Sequence, residues 1–145
     1  LKGRGYSSWA IETAIADAKE IERRILLRGH VLVAEVNSEI VGTVTGFEEH
    51  KSMHVCSLAV RPKYQNIGVA HKLMSSLEKL AQDMDCNKLF LCTAWAMREA
   101  IRLYESLGYI KEGYLHEHFC GEDFIVFSKL IKENTLTACR KCENE

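Results

Sequence analysis

A single proline, no internal repeat and no low-complexity linker occur in 145 residues, so nothing divides the chain into separate folding units. No apolar run approaches the roughly 20 residues that a helix needs to cross a bilayer. The N-terminus lacks the charged-then-apolar layout of a signal peptide, and the reading is of a cytoplasmic protein with no membrane partner. Neither sign of charge is in excess. Nineteen Lys and Arg against 20 Asp and Glu leave a net charge of −1, interspersed along the chain, which argues against a nucleic-acid-binding surface. Low hydrophobicity is missing as well: 47% hydrophobic with 27% charged is ordinary globular composition, which excludes a disordered chain. A metal-ligand set is not apparent. Of six cysteines, Cys56, Cys86, Cys92 and Cys120 are scattered singly and read as reduced thiols, while Cys139-Arg140-Lys141-Cys142 is a lone CxxC, half a zinc site at best. His116 and His118, two apart on a strand or loop, can share a face but lack a third ligand nearby, so no metal is expected. The chain opens at Leu1 with no convincing strand ahead of Trp9, so either residues precede it or its start is shortened.

The residues that are present concentrate information in one stretch. Leu58-Ala59-Val60 ends a β-rich run; Arg61 to Asn66 form a loop bearing Pro62; Ile67, Gly68, Val69 and Ala70 then open a helix. After Gly68 the apolar residues Val69, Leu73, Met74, Leu77, Leu80, Ala81 and Met84 recur at helical spacing on one face. The loop therefore delivers backbone N–H groups at a helix N-terminus, where the positive end of the helix dipole suits a pyrophosphate. Gly68 and Ala70 carry almost no side chain and let an anion approach the backbone.

The remaining pattern predicts one domain over 1–132 and a polar tail over 133–145. Ile11, Ala14, Ile15, Ala18, Ile21, Ile25 and Leu26 predict one or two amphipathic helices entered near Ser7 or Ser8. Val31–Val36 and Ile40–Phe47 predict a hairpin around Asn37-Ser38-Glu39. Val55–Val60 and Leu89–Thr93 predict the central strands. A helix from about Met97 to Leu107 is expected to stop at Gly108, and Tyr109–Leu115 is expected to pair with Phe124–Leu130.

Gln65-x-x-Gly68-x-Ala70 after Leu-Ala-Val resembles the coenzyme A signature of the GCN5-related N-acetyltransferases, the GNAT superfamily. Ala100-Ile101-Arg102-Leu103-Tyr104-Glu105-Ser106-Leu107-Gly108-Tyr109 resembles that family's second segment, A-I-x-L-Y-x-x-L-G-F/Y, and follows the expected strand. The resemblance implies an α/β (α+β) fold, a mixed sheet flanked by helices whose two central parallel strands splay apart. It implies acetyl-CoA as cosubstrate, its pantetheine arm bonded to the backbone of Leu58, Ala59 and Val60 and its pyrophosphate held by Gln65, Asn66, Ile67, Gly68, Val69, Ala70 and His71.

The reaction so implied is acetyl transfer to a primary amine by direct attack. A lysine amine (pKa about 10.4) or an α-amino group (about 8) is protonated at neutral pH, so a base must first take its proton. Backbone N–H donors on the splayed strand would stabilise the oxyanion, and an acid would protonate the departing thiolate. The resemblance places Tyr104 as that acid, the other reading being a tyrosine that packs its helix on the sheet. In related N-terminal acetyltransferases a Glu or His often stands where this chain has Cys92, and a buried thiol is a poor base. His54 opens His54-Val55-Cys56-Ser57-Leu58-Ala59-Val60, similar to the H-I-T-S-L-A-V stretch of protein Nα-acetyltransferases, and an imidazole titrating near 6.5 can accept a proton directly or through water. A solvent-facing strand-end histidine is the alternative. Glu48, Glu49 and His50 can line an acceptor mouth, and Trp95 can shape the pocket or cover the core.

Two departures bear on the acceptor. Met97 stands where the family commonly has an Asn whose amide contacts the cofactor, and Leu91-Cys92-Thr93-Ala94-Trp95-Ala96-Met97 lacks the L-x-V-R-x-S-N pattern of protein N-terminal acetyltransferases. The acceptor is thus a small-molecule amine or a protein N-terminus. A coenzyme A-binding sensor or interaction module with little catalysis is the alternative. Homodimers are common in the family, and nothing in the chain settles oligomeric state.

Overall fold

A computed structural model describes residues 27–131 of the chain. The predicted N-terminal helices, the tail over 133–145 and the Cys139/Cys142 pair lie outside these residues. The described chain forms a six-stranded sheet of strands β1 (His30–Val36), β2 (Glu39–Glu49), β3 (Ser52–Val60), β4 (Lys88–Ala94), β5 (Ile110–Phe119) and β6 (Glu122–Leu130), in the order β1-β2-β3-β4-β6-β5. Two helices, α1 (Val69–Asp83) and α2 (Arg98–Ser106), follow β3 and β4. Only β3 and β4 run parallel; every other pairing is antiparallel.

Three hairpins close on two-residue turns, and each places both turn residues at positive φ: Asn37 and Ser38, His50 and Lys51, Cys120 and Gly121. That backbone matches the right-handed twist of the flanking strands, which is why these tight turns join them without splaying the ladder. Both helices cover one face of the sheet. A Cβ added at Gly42 would meet Leu73 and Val69 of α1, one at Gly46 would meet Leu77, and His71 of α1 reaches Ser106 of α2 at 3.1 Å. Between helices and sheet lies the core: Leu73, Met74, Leu77 and Ala81 from α1, Ile101 and Tyr104 from α2, and Val44, Met53, Val55, Leu89, Leu91, Ile125 and Phe127 from the strands. Among the described residues no helix is long and apolar enough to cross a membrane.

The expected element order holds, with shifted ends. β2 and β3 run two and three residues further into their shared turn than the apolar pattern predicts, through Glu48, Glu49, Ser52, Met53 and His54, because ladder hydrogen bonds extend beyond the apolar residues. Met97, expected inside α2, is its N-cap at φ −82°, ψ 68°. Tyr109, expected to open β5, precedes it and is buried in the core instead.

Candidate active site

β3 and β4 pair only over Ser52↔Lys88, Met53↔Leu89 and His54↔Phe90. Beyond His54 the strands part, and the side of Val55–Val60 that faces β4 is no longer joined to it, although β2 still pairs with β3 as far as Gly42↔Val60. The cause is local. Thr45 pairs with Ser57 but Gly46 pairs with Val55, so Cys56 is an extra residue, a bulge that bends β3 two residues past His54, its last pairing with β4. The bulge also resets the alternation of side chains. Met53 and Val55 face the helices before it, and Leu58 and Val60 pack against the same core after it.

Val60 leads into a loop stiffened by its own residues. The 3-10 turn Pro62–Tyr64 follows Arg61 in extended conformation, as a residue before proline prefers. The Gln65 side-chain amide donates to the Val60 carbonyl at 2.9 Å, tying the loop to the strand. Arg61 pairs with Glu39, and the Tyr64 hydroxyl lies 3.4 Å from the same carboxylate. Asn66 adopts φ 62°, and Gly68, the N-cap of α1, adopts φ 90°. Among the described residues no side chain caps this helix. Its first internal bond is Lys72 N–H to Gly68 O, so the N–H groups of Gly68, Val69, Ala70 and His71 point out of the helix end. Among the described residues, a Cβ at Gly68 would meet no atom within 4 Å. Gly68 is thus demanded by its φ, and no described residue crowds it. Ile67 is exposed beside it. The His71 ring is turned to Ser106, so its backbone N–H is the group that faces the mouth.

These features fit a pantetheine diphosphate: helix-terminal donors with room before them, then a strand edge released from its neighbour. Within that edge the Ser57 hydroxyl is buried and has no hydrogen-bond partner among the described residues.

Tyr104 is buried on α2, its ring 5.8 Å from those of Tyr109 and Phe127. Burial, helped by the nearby Cys92 thiol, drives its pKa far above the ordinary phenol range, so the hydroxyl holds its proton. His54 lies at the apex of the wedge. It pairs with Phe47 of β2 and Phe90 of β4; its own neighbours Met53 and Val55, and Leu89 and Leu91 beside Phe90, belong to the core under the helices, so the imidazole projects from the opposite face. It stacks on Phe90 at 4.7 Å with the rings 2° from parallel, and its Nδ1 lies 3.4 Å from the Cys56 Sγ. Burial lowers its pKa, with the Glu49 charge opposing, and the ring is neutral at pH 7. Cys92 is held as a thiol by burial.

The other sequence candidates go elsewhere. Glu48, Glu49 and His50 sit at the β2–β3 turn, at the closed end of the wedge, with His50 beside Glu49 at 3.8 Å. His116 and His118 take separate partners. The first contacts Asp123 at 2.9 Å, and the second packs its ring against Phe119 and Phe124. Met97 turns its sulfur to the Thr93 hydroxyl at 3.8 Å, and Trp95 is half-exposed between Arg98 and Tyr114. Among the described residues no cluster of His, Cys, Asp or Glu has a metal-holding arrangement.

The model of the Acetyltransferase (GNAT) family matches residues 16–109, from before β1 through α2. The chain belongs to the GNAT family. A Mus musculus relative, named Probable N-acetyltransferase family 8 member 5, is 27% identical over an alignment of 135 residues that covers 88% of this chain and 60% of the mouse protein. The chain thus spans about three fifths of that relative's length. Among solved structures, the IAA acetyltransferase of Bacillus cereus superposes with a TM-score of 0.73 at 18% identity, covering 87% of this chain and 93% of its own. A GNAT acetyltransferase of Elizabethkingia anophelis, with acetyl-CoA bound, gives a TM-score of 0.70 at 21% identity, covering 87% and 92%. At such identities these likenesses speak for the GNAT fold.

Two features, one in this site and one on the β5–β6 hairpin away from it, escape sequence reasoning. The Cys56 bulge has no compositional signal, because Val55-Cys56-Ser57-Leu58 reads as unbroken strand. The knot in which Asp123 accepts from Tyr114, His116 and the Glu117 N–H is assembled by a hairpin whose register shifts between Leu115 and Phe119. Only Asp123 beside a hairpin turn hints at it.

Proposed function

We propose that this chain is an acetyl-CoA-dependent N-acetyltransferase acting on a primary amine by direct attack. The observation that carries the reading is the coincidence of a released strand edge, Val55–Val60, with a helix N-terminus opened by Gly68 at the end of the same strand. Bound acetyl-CoA supplies the acetyl group as an activated thioester. The N–H groups of Gly68, Val69, Ala70 and His71 bind the diphosphate oxygens, aided by the α1 dipole. The backbone of Leu58, Ala59 and Val60 takes the amide-bearing arm as a strand takes a neighbour, and the loop positions Gln65, Asn66 and Ile67 around it.

Tyr104 is the acid of this site. It remains protonated across the neutral range, so its hydroxyl is ready to donate to the departing sulfur. A phenol held in this way is a weaker acid than a thiol of pKa about 8.5, and Tyr104 therefore helps chiefly as a hydrogen-bond donor while negative charge gathers on sulfur. His54 is the base. Its neutral imidazole accepts the amine proton on the sheet face opposite the helices, which keeps the acceptor and the cofactor thiol on separate approaches to the gap.

The test is thiol release from acetyl-CoA with a panel of peptides, polyamines, aminoglycosides and amino acids. Amine-dependent release, with mass spectrometry showing one added acetyl group, supports the proposal and names the acceptor class. Coenzyme A binding with no release across the panel favours the sensor reading.

A further inference from the structure

Cys56, the residue at the bulge, lies on the same face of β3 as His54, two residues before it. Two hydrogen bonds join them: Cys56 Sγ lies 3.4 Å from His54 Nδ1, and the thiol donates to the His54 carbonyl oxygen at 3.9 Å. A thiol has one proton. Both contacts are made at once only when that proton goes to the carbonyl and the ring nitrogen donates to a sulfur lone pair; directed at Nδ1, the nearer acceptor, it would leave the carbonyl contact unmade. The Phe90 stack holds the imidazole in the plane where this bond forms.

We infer that Cys56 is a positioning residue that holds His54 in the Nδ1–H tautomer and leaves the Nε2 lone pair as the proton acceptor. The reversed tautomer would place a proton on Nε2 and close that route. In the step, Nε2 takes one proton from R–NH3+, giving R–NH2 and an imidazolium whose Nδ1–H still donates to sulfur; the proton then leaves Nε2 to water. The second nitrogen of a histidine is commonly set in this way by a bond on the first. Sulfur is an unusual partner for it, and it is present because Cys56, two residues on from His54, shares its face of the strand by ordinary alternation.

The inference rests on His54 as base, and the two stand or fall separately under the following experiment. In protein labelled with 15N at histidine, long-range 15N–1H spectra read which ring nitrogen carries hydrogen, and His54→Gln assigns the signal. The expected result is Nδ1–H in the native protein, a shift toward Nε2–H in Cys56→Ala, and return to Nδ1–H in Cys56→Ser, whose oxygen both accepts and donates. With the accepted amine, Cys56→Ala should lower kcat about fivefold, the factor commanded by one ordinary hydrogen bond, at unchanged KM for acetyl-CoA, and Cys56→Ser should restore it. Native His54 as Nε2–H, or a tautomer indifferent to Cys56→Ala, overturns the inference. Full turnover in His54→Gln overturns instead the base role on which it rests, whatever the tautomer.

Discussion

Replacing Gly68 by Ala separates a binding glycine from a turn glycine. At φ 90° an L-residue is strained, and the added Cβ meets no atom of the described residues, so the expected loss is the backbone term, about 1–2 kcal/mol. For a domain of this size that corresponds to a fall in Tm of roughly 4 °C. Affinity should fall further than stability predicts. The Cβ projects into the space before the helix N-terminus, where loss of one charge-assisted bond costs about 2 kcal/mol, or roughly 30-fold in Kd. Gly108 supplies a matched control. It has φ 85° and an open surrounding, with Lys129 Cε at 3.8 Å from an added Cβ, so Gly108→Ala pays the same conformational cost after α2. Calorimetric titration with coenzyme A and thermal melts of both variants are the assay. Both should melt lower, and only Gly68→Ala should lose affinity. Equal Kd values in the two variants would refute the assignment of Gly68 to the diphosphate.

Tyr104→Phe should lower kcat about 100-fold at unchanged coenzyme A affinity, and steady-state rates equal to native would remove the hydroxyl from the chemistry. The acid limb of kcat/KM should fall below the ordinary histidine value of about 6.5, because burial lowers the His54 pKa and only the neutral ring accepts a proton. Since Glu49 raises that pKa, Glu49→Gln should move the limb further to acid; an alkaline shift in the pH–rate profile would contradict this. The same lowering means the unfolded chain binds the His54 proton more readily, so its contribution to stability is lost as pH falls through about 6.5, measurable in denaturant melts. Phe127→Ala, which empties a site with no exposed surface, should destabilise by about 3–5 kcal/mol in urea unfolding, and a loss under 1 kcal/mol would misplace the core.

The strand-loop-helix from Leu58 to Met84 was legible because its signals are local: an apolar run, a proline, a glycine whose φ demands it, then helical spacing. Tyr104 was legible as a helix residue for the same reason. The point of separation between β3 and β4 was not, because it depends on how many residues of β3 oppose β2, and Cys56 in a strand looks like any alternating residue. Its consequence, that Leu58 and Val60 rather than Ser57 and Ala59 face the helices, follows from register alone. Alternation also misleads at His116 and His118, where a shifted register gives the two rings different partners. The bond from the Gln65 side chain to the Val60 carbonyl was not legible either, because it is decided by how the Pro62 turn folds back on the strand.

If Val55–Val60 and Gly68–His71 together form the acetyl-CoA site, backbone 15N–1H spectra recorded during titration with acetyl-CoA will show it. Saturable shifts are expected at the amides of those two segments, with little change on β5. Shifts confined to other residues, or none at saturating cofactor, would contradict it.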